Sequence, residues 1–197
     1  MAKNSRDIIL RDRMEFTLNA GEQTTVYGRQ DLSDYVNAVE KKGLNIKQIF
    51  WQLRYPTSAE MGNTGMFVPV LENVGSGGGT FISSGIKIYA TTRAYENASD
   101  VGIASPDVIA VEEIKFAISG DGAAVSGNIL YETVRYGPLD LHPEGYTVVS
   151  DLLIGIAVDD ASAFASETLE LDLLIIAEPV TVTAKDLTQM LTQSQDI

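Results

Sequence analysis

Apolar and polar positions alternate most clearly at residues 168–183. Leu169, Leu171, Leu173, Ile175 and Ala177 share one side of an extended chain there, and Glu170, Asp172 and Glu178 share the other. Successive strand side chains point to opposite faces, so this period of two predicts a long strand with one buried and one solvated side. Residues 5–18 repeat the pattern, with Ile8, Leu10, Met14, Phe16 and Leu18 opposed to Arg11, Arg13, Glu15 and Thr17, and with Asp12 interrupting the apolar side. Residues 45–55 set Ile49, Trp51, Leu53 and Tyr55 on one continuously apolar face, which makes the sole tryptophan a core anchor. Further strands are expected at 66–71, 81–93, 108–119, 128–136 and 146–158, separated by glycine and proline. In 146–158, Gly155 and Ala157 thin the face opposite Leu152, Ile154, Ile156 and Val158, which predicts close packing on both sides.

Two segments change period. In 31–43, Leu32, Tyr35, Val36 and Val39 follow the i, i+3, i+4, i+7 spacing of a short helix. Asp31 is placed to cap it, Lys41 and Lys42 suit its negative end, and Gly43 can take the left-handed conformation that stops it. At the other end of the chain, Thr183 and Asp186 resemble a capping box leading into Leu187, Met190 and Leu191. About eight strands with few helices predict an all-β fold of two packed antiparallel sheets. A jelly roll accommodates the strand count, the uneven connections and the early helix better than an immunoglobulin-type sandwich does. The chain is expected to form one such domain over 1–197, with a short N-terminal segment and a helical tail at 184–197.

Composition narrows the chemistry. At 197 residues and 45% hydrophobic the chain can build an ordinary core. It has no cysteine, which excludes disulfides, thiolate zinc sites and a cysteine nucleophile. No apolar run reaches the roughly 18 residues of a membrane span. The start of the chain leads into a charged strand rather than the apolar centre of a signal peptide, so the glycosylation pattern at Asn97, Ala98 and Ser99 is read as chance.

The net charge is −13 and is unevenly placed: residues 1–60 carry nine Lys/Arg and eight Asp/Glu, and the remainder five against nineteen. Proteins that grip phosphates need clustered cations to displace counterions, so direct nucleic-acid binding is not expected. The acid surplus suits solubility, divalent-cation bridging or a saline habitat.

Candidate sites are sparse. The glycine-rich stretch 74–80 is followed by Phe81 and Ile82 rather than by a lysine and a helix, so it reads as a surface loop and not a phosphate loop. Asp140, His142 and Glu144 fall on one side of an extended chain and, with Asp159 and Asp160, offer an oxygen-rich calcium site. A solvated turn is the simpler reading, and no other metal or cofactor is expected. The single histidine has no nucleophile elbow beside any serine, and no carboxylate pair stands out among 27 acids, so no enzyme is expected. Tyr89, Tyr95, Tyr131, Tyr136 and Tyr146 offer an alternative, a sugar-stacking platform.

Two stretches, 31–54 (DLSDYVNAVEKKGLNIKQIFWQLR) and 169–178 (LELDLLIIAE), together with the size and strand-rich organisation, carry a family resemblance. The chain resembles the single jelly-roll capsid proteins of small tailless icosahedral viruses, particularly the archaeal and bacterial kind that enclose a membrane. The resemblance implies a virion shell protein that assembles with copies of itself, beside a second capsid or spike protein and above an internal membrane. Arg11, Arg13 and Glu15 on the first strand and Leu187, Met190 and Leu191 on the terminal helix are the expected contacts. The alternative function is a carbohydrate- or receptor-binding β-sandwich of a phage tail or spike, and a calcium-stabilised lectin-like domain is a third.

Overall fold

A computed structural model describes residues 7–17, 24–54, 81–119, 128–159 and 168–193. Among them run nine strands: β1 (Ile8–Thr17), β2 (Thr24–Gln30), β3 (Lys42–Arg54), β4 (Phe81–Thr91), β5 (Val108–Ser119), β6 (Asn128–Tyr136), β7 (Tyr146–Val148), β8 (Leu152–Asp159) and β9 (Thr168–Thr181). Two helices accompany them, the single turn α1 (Pro138–Leu141) and α2 (Ala184–Gln193).

The strands form two antiparallel sheets, ordered β1-β9-β3-β7 and β2-β8-β4-β5-β6. Four pairings are nested: β1 with β9, β2 with β8, β3 with β7, and β4 with β5. The chain is therefore one long hairpin whose successive rungs fall on alternate sheets, which is the topology of a jelly roll. β6 extends the larger sheet by one strand beyond β5.

The core lies between the sheets. From β9, Leu169, Leu171, Leu173, Ile175 and Ala177 point inward, each alternating with a partly exposed neighbour. They meet Ile86, Ile88 and Ala90 of β4 and Ile154, Ile156 and Val158 of β8. Each fully buried leucine or isoleucine contributes about 1.5–3 kcal/mol relative to exposure.

The five-stranded sheet is also covered on its other face. Tyr89, Val108, Val111 and Ala157 are buried there with Ala98 and Val101. Lys87 fastens the crossing segment by donating to the carbonyls of Ala98 (3.2 Å) and Val101 (2.7 Å). The predicted burial on both sides of Gly155 and Ala157 is what the structure has. Among the described residues, the sheet face left open is that of the four-stranded sheet.

Three expectations need correction. Residues 31–41 are a series of turns and not a helix, and 42–43 already belong to β3. Asp31 accepts the Ser33 amide, Asn37 accepts those of Val39 and Glu40, and Asp151 accepts that of Leu32, so side chains hold donors that a helix would need. Leu32 and Val36 are buried while Val39 is 93% exposed. The left-handed residue is Lys41 (φ 57°) rather than Gly43, which lies in β3 against Val182.

The expected strand 146–158 is two strands, β7 and β8, in different sheets. Its corner is held by Asp151, whose carboxylate pairs with Arg29 as well as with the Leu32 amide. Finally, β2 is a strand that the alternation did not predict. The expected strand at 66–71 lies outside the described residues.

Candidate interaction surface

The exposed face of the four-stranded sheet is set by register. Opposite residues on β1, β9 and β3 fall into rows: Ile9, Ile176 and Gln48; Arg11, Leu174 and Phe50; Arg13, Asp172 and Gln52. These positions alternate with the core residues, so the inward order of β9 dictates which side chains face out. The first two rows form an apolar strip in which Ile9 is 51% and Phe50 44% exposed. A shallow groove of about 950 Å³ lies over the second and third rows, lined by Arg11, Arg13, Phe50, Gln52, Asp172 and Leu174.

Charges of both signs border the strip. Arg13 Nε donates to Asp172 at 2.6 Å and lies 3.7 Å from Glu170. That hydrogen bond to Asp172 holds the guanidinium proton more firmly than usual. Lys47 bridges Asp7 (2.7 Å) and Glu178 (3.0 Å), and hydrogen bonds to both raise its pKa above the ordinary lysine value. Arg11 and Glu15 are exposed on the same face of β1.

Behind the strip, the Trp51 indole N–H donates to Glu112 of the opposite sheet. Arg135 of β6 donates to the Ile49 carbonyl and lies over the rings of Phe50 (5.3 Å) and Trp51 (5.6 Å). This is a cation–π arrangement that fixes the exposed Phe50 from one side.

No protein-family model matches the chain, and no curated protein matches it. Solved structures with a similar layout include the empty head of turnip yellow mosaic virus, at 11% identity and TM-score 0.35, covering 91% of this chain and 85% of that one. Another is desmodium yellow mottle tymovirus, at 10% identity and TM-score 0.36, with 93% and 94% covered. A third is the arabinose-bound α-L-arabinofuranosidase MgGH51, at 13% identity and TM-score 0.30, covering 90% of this chain and 22% of that one. The likeness is one of fold alone.

The predicted contact residues fall in two places. Arg11, Arg13 and Glu15 all reach the exposed face of β1. In α2, Leu187 and Met190 are partly buried, while the side chain of Leu191 lies outside the described residues. Thr183 Oγ1 accepts the Asp186 amide, as the N-cap half of a capping box requires, and donates to the Asp186 carboxylate.

Of the calcium candidates, Asp140, His142 and Glu144 are described, and each is engaged locally. The Asp140 carboxylate accepts the Gly137 amide at 2.7 Å, inside its own turn. His142 Nε2 lies 2.9 Å from the Val108 carbonyl, and its ring stands edge-on to Tyr146. Glu144 is exposed in the following turn, and its carbonyl receives the Asn45 amide group. Asp159 ends β8 with its side chain outside the described residues, as Asp160 is altogether. Among the described residues no group of three or more acidic or histidine side chains could hold a metal ion. No helix there is long and apolar enough to cross a membrane.

The five tyrosines do not share one exposed face. Tyr89 is fully buried, Tyr95 and Tyr146 are partly so, and Tyr131 and Tyr136 are exposed on β6. The residues that sequence reasoning missed are Ile9, Phe50, Leu174 and Ile176. Their signal was present: each sits beside an inward apolar residue, and unbroken pairs such as Leu174–Ile175 and Phe50–Trp51 place grease on both faces.

Proposed function

We propose that this chain is a structural shell subunit that assembles with copies of itself into a closed particle and carries out no catalysis. The observation that supports this most is the apolar strip of Ile9, Phe50, Leu174 and Ile176 on the outside of a sheet whose inside already closes the core. An exposed apolar patch with a polar rim is the composition of a protein contact.

The occupant we assign is a second copy. The chain bears −13 in net charge, and the strip is edged by the exposed cation Arg11, which would receive an acidic neighbour. Repetition in a symmetric particle makes modest contacts sufficient. The jelly roll supplies a two-layered block on which such contacts can be built.

The finer reading is a virion shell lying over lipid or another protein layer. The acid surplus supports it, because a net charge of −13 disfavours contact with a naked genome. Replacing Phe50 or Leu174 by Asp tests the strip directly. The expected result is a shift from large particles to small species in sedimentation, with the circular-dichroism spectrum unchanged. Particle yield equal to the parent chain's would overturn the strip as the contact.

One observation favours a second reading. An exposed aromatic ring beside a paired guanidinium and carboxylate, as Phe50 stands to Arg13 and Asp172, is also a surface on which a sugar ring can stack and hydrogen-bond. Saturable glycan binding by small, non-assembling species, abolished by Phe50→Ala, would establish a carbohydrate-binding module instead.

A further inference from the structure

Among the described residues the two sheets end in four edge strands, β1, β7, β2 and β6, and these differ in how far each can accept another strand. An exposed edge presents unpaired N–H and C=O groups, which proteins usually block. β7 is three residues long. β1 is guarded by Asp12, whose carboxylate takes the backbone N–H of Arg13 at 2.8 Å and so occupies a ladder donor. β2 exposes no large apolar side chain. β6 is different: it is nine residues long, pairs with β5 alone among the described residues, and exposes Leu130 (64%), Tyr131 (57%) and Tyr136 (37%).

These three do not share a face. Tyr131, Thr133 and Arg135 lie opposite Phe116, Ile114 and Glu112, whereas Leu130, Val134 and Tyr136 lie opposite Ala117, Glu113 and Val111. Apolar exposure on both faces of an edge strand is what a strand inside a sheet carries.

We propose that β6 of one copy pairs antiparallel with β6 of a second copy, about a two-fold axis at Thr133, joining two five-stranded sheets into one. A two-fold axis normal to the sheet requires one residue to face its own counterpart, which leaves few registers. Overlap of all nine residues would set Glu132 against Glu132, and like charges directly opposite are destabilising. Centring on Thr133 removes that conflict. Thr133 then meets Thr133, Glu132 meets Val134, Tyr131 meets Arg135 and Leu130 meets Tyr136, with no like charges opposed.

The arrangement also fits the groups already in place. Arg135 lies over Phe50 and Trp51, and Tyr131 of the second copy would stand beside it on the same face. Both exposed β6 tyrosines thereby gain partners, and the ladder adds directional hydrogen bonds that the sheet-face contact lacks. A closed particle needs more than one kind of contact per subunit, so this pairing deepens the shell reading and takes its partner from it.

The test uses Thr133→Cys, since the chain has no cysteine of its own. Directly opposed residues in an antiparallel pair have Cα atoms about 4.5–5.5 Å apart, within reach of a disulfide. Mild oxidation should give a disulfide-linked dimer at roughly tenfold the yield of an Ile103→Cys control, whose site is an exposed loop. Thr133→Lys, which would oppose two cations at the axis, should weaken dimer formation at low salt and recover it at high salt. Particles that assemble without selective cross-linking overturn the β6 pairing and leave the shell reading standing. A selective dimer without particles supports the pairing while the shell reading fails.

Discussion

The ring of Tyr89 fills the space that a side chain on Gly155 would need. A Cβ built on Gly155 falls 2.2 Å from Tyr89 Cζ, and the register places Gly155 of β8 between Tyr27 of β2 and Tyr89 of β4. The glycine is therefore required by a close approach, and the approach lets the outer face of the larger sheet close.

Gly155→Ala should accordingly destabilise the fold. The added methyl must displace a buried ring, and overpacking of this kind costs about 1–3 kcal/mol. Urea unfolding should show a lower midpoint with an unchanged slope, since the surface exposed on unfolding barely alters. A midpoint equal to the parent's would mean the ring has room to move.

Tyr89 also predicts a pH dependence. Its hydroxyl donates to Tyr27 at 2.6 Å, and Tyr27 donates in turn to the Tyr95 carbonyl at 3.0 Å. Burial first, then the hydrogen bond to Tyr27, pushes the Tyr89 pKa well above the ordinary tyrosine value of 10.0. The folded chain thus keeps this proton to higher pH than the unfolded chain does. Stability from neutral Tyr89 is complete below pH 10 and is lost as pH rises above it. Urea midpoints should fall above that pH, and Tyr89→Phe should flatten the fall while removing about 0.5–1.5 kcal/mol at neutral pH.

Charge reversal on β1 probes the sheet-face contact. In Arg13→Glu a carboxylate would face Asp172 and Glu170, and Arg11→Glu would take away the exposed cation at the apolar strip. The double variant should assemble poorly at low salt, with partial recovery as salt screens the new repulsion. Unchanged particle yield, measured by sedimentation, would remove these two residues from the contact.

The terminal helix is separable from the sandwich. Deleting residues 184–197 removes α2 but no strand. The shortened chain should keep its β-sheet circular dichroism and lose assembly in proportion to any contact made by Leu187 and Met190. Full assembly after the deletion would assign α2 a purely local role.

Much of the sandwich was legible because its strands carry one-sided alternation. β9 buries its odd-numbered positions from Leu169 to Ala177 as the period of two requires. β2 was not legible, because Thr24–Gln30 offers little alternation. Its core side holds Gly28, where Met14 reaches across from the other sheet and lies 2.3 Å from where a Cβ would be. The false helix at 31–43 arose because Leu32 and Val36 have helical spacing, while Asp31, Asn37 and the distant Asp151 compete for the same amides.

The division between β7 and β8 depends on a contact more than a hundred residues away in sequence, Asp151 with Leu32, which no local pattern records. The site was half legible for a similar reason. Arg11, Arg13 and Glu15 declare an outward charged face by themselves. Ile9, Phe50, Leu174 and Ile176 become one strip only through the register of three strands.

The central claim is self-assembly. Sedimentation velocity of the purified chain across concentration and salt, with negative-stain microscopy of the fastest fraction, tests it most directly. The account predicts closed particles of uniform size that dissociate when Phe50 is replaced by Asp. A monomer at every concentration, unaffected by that substitution, would contradict it.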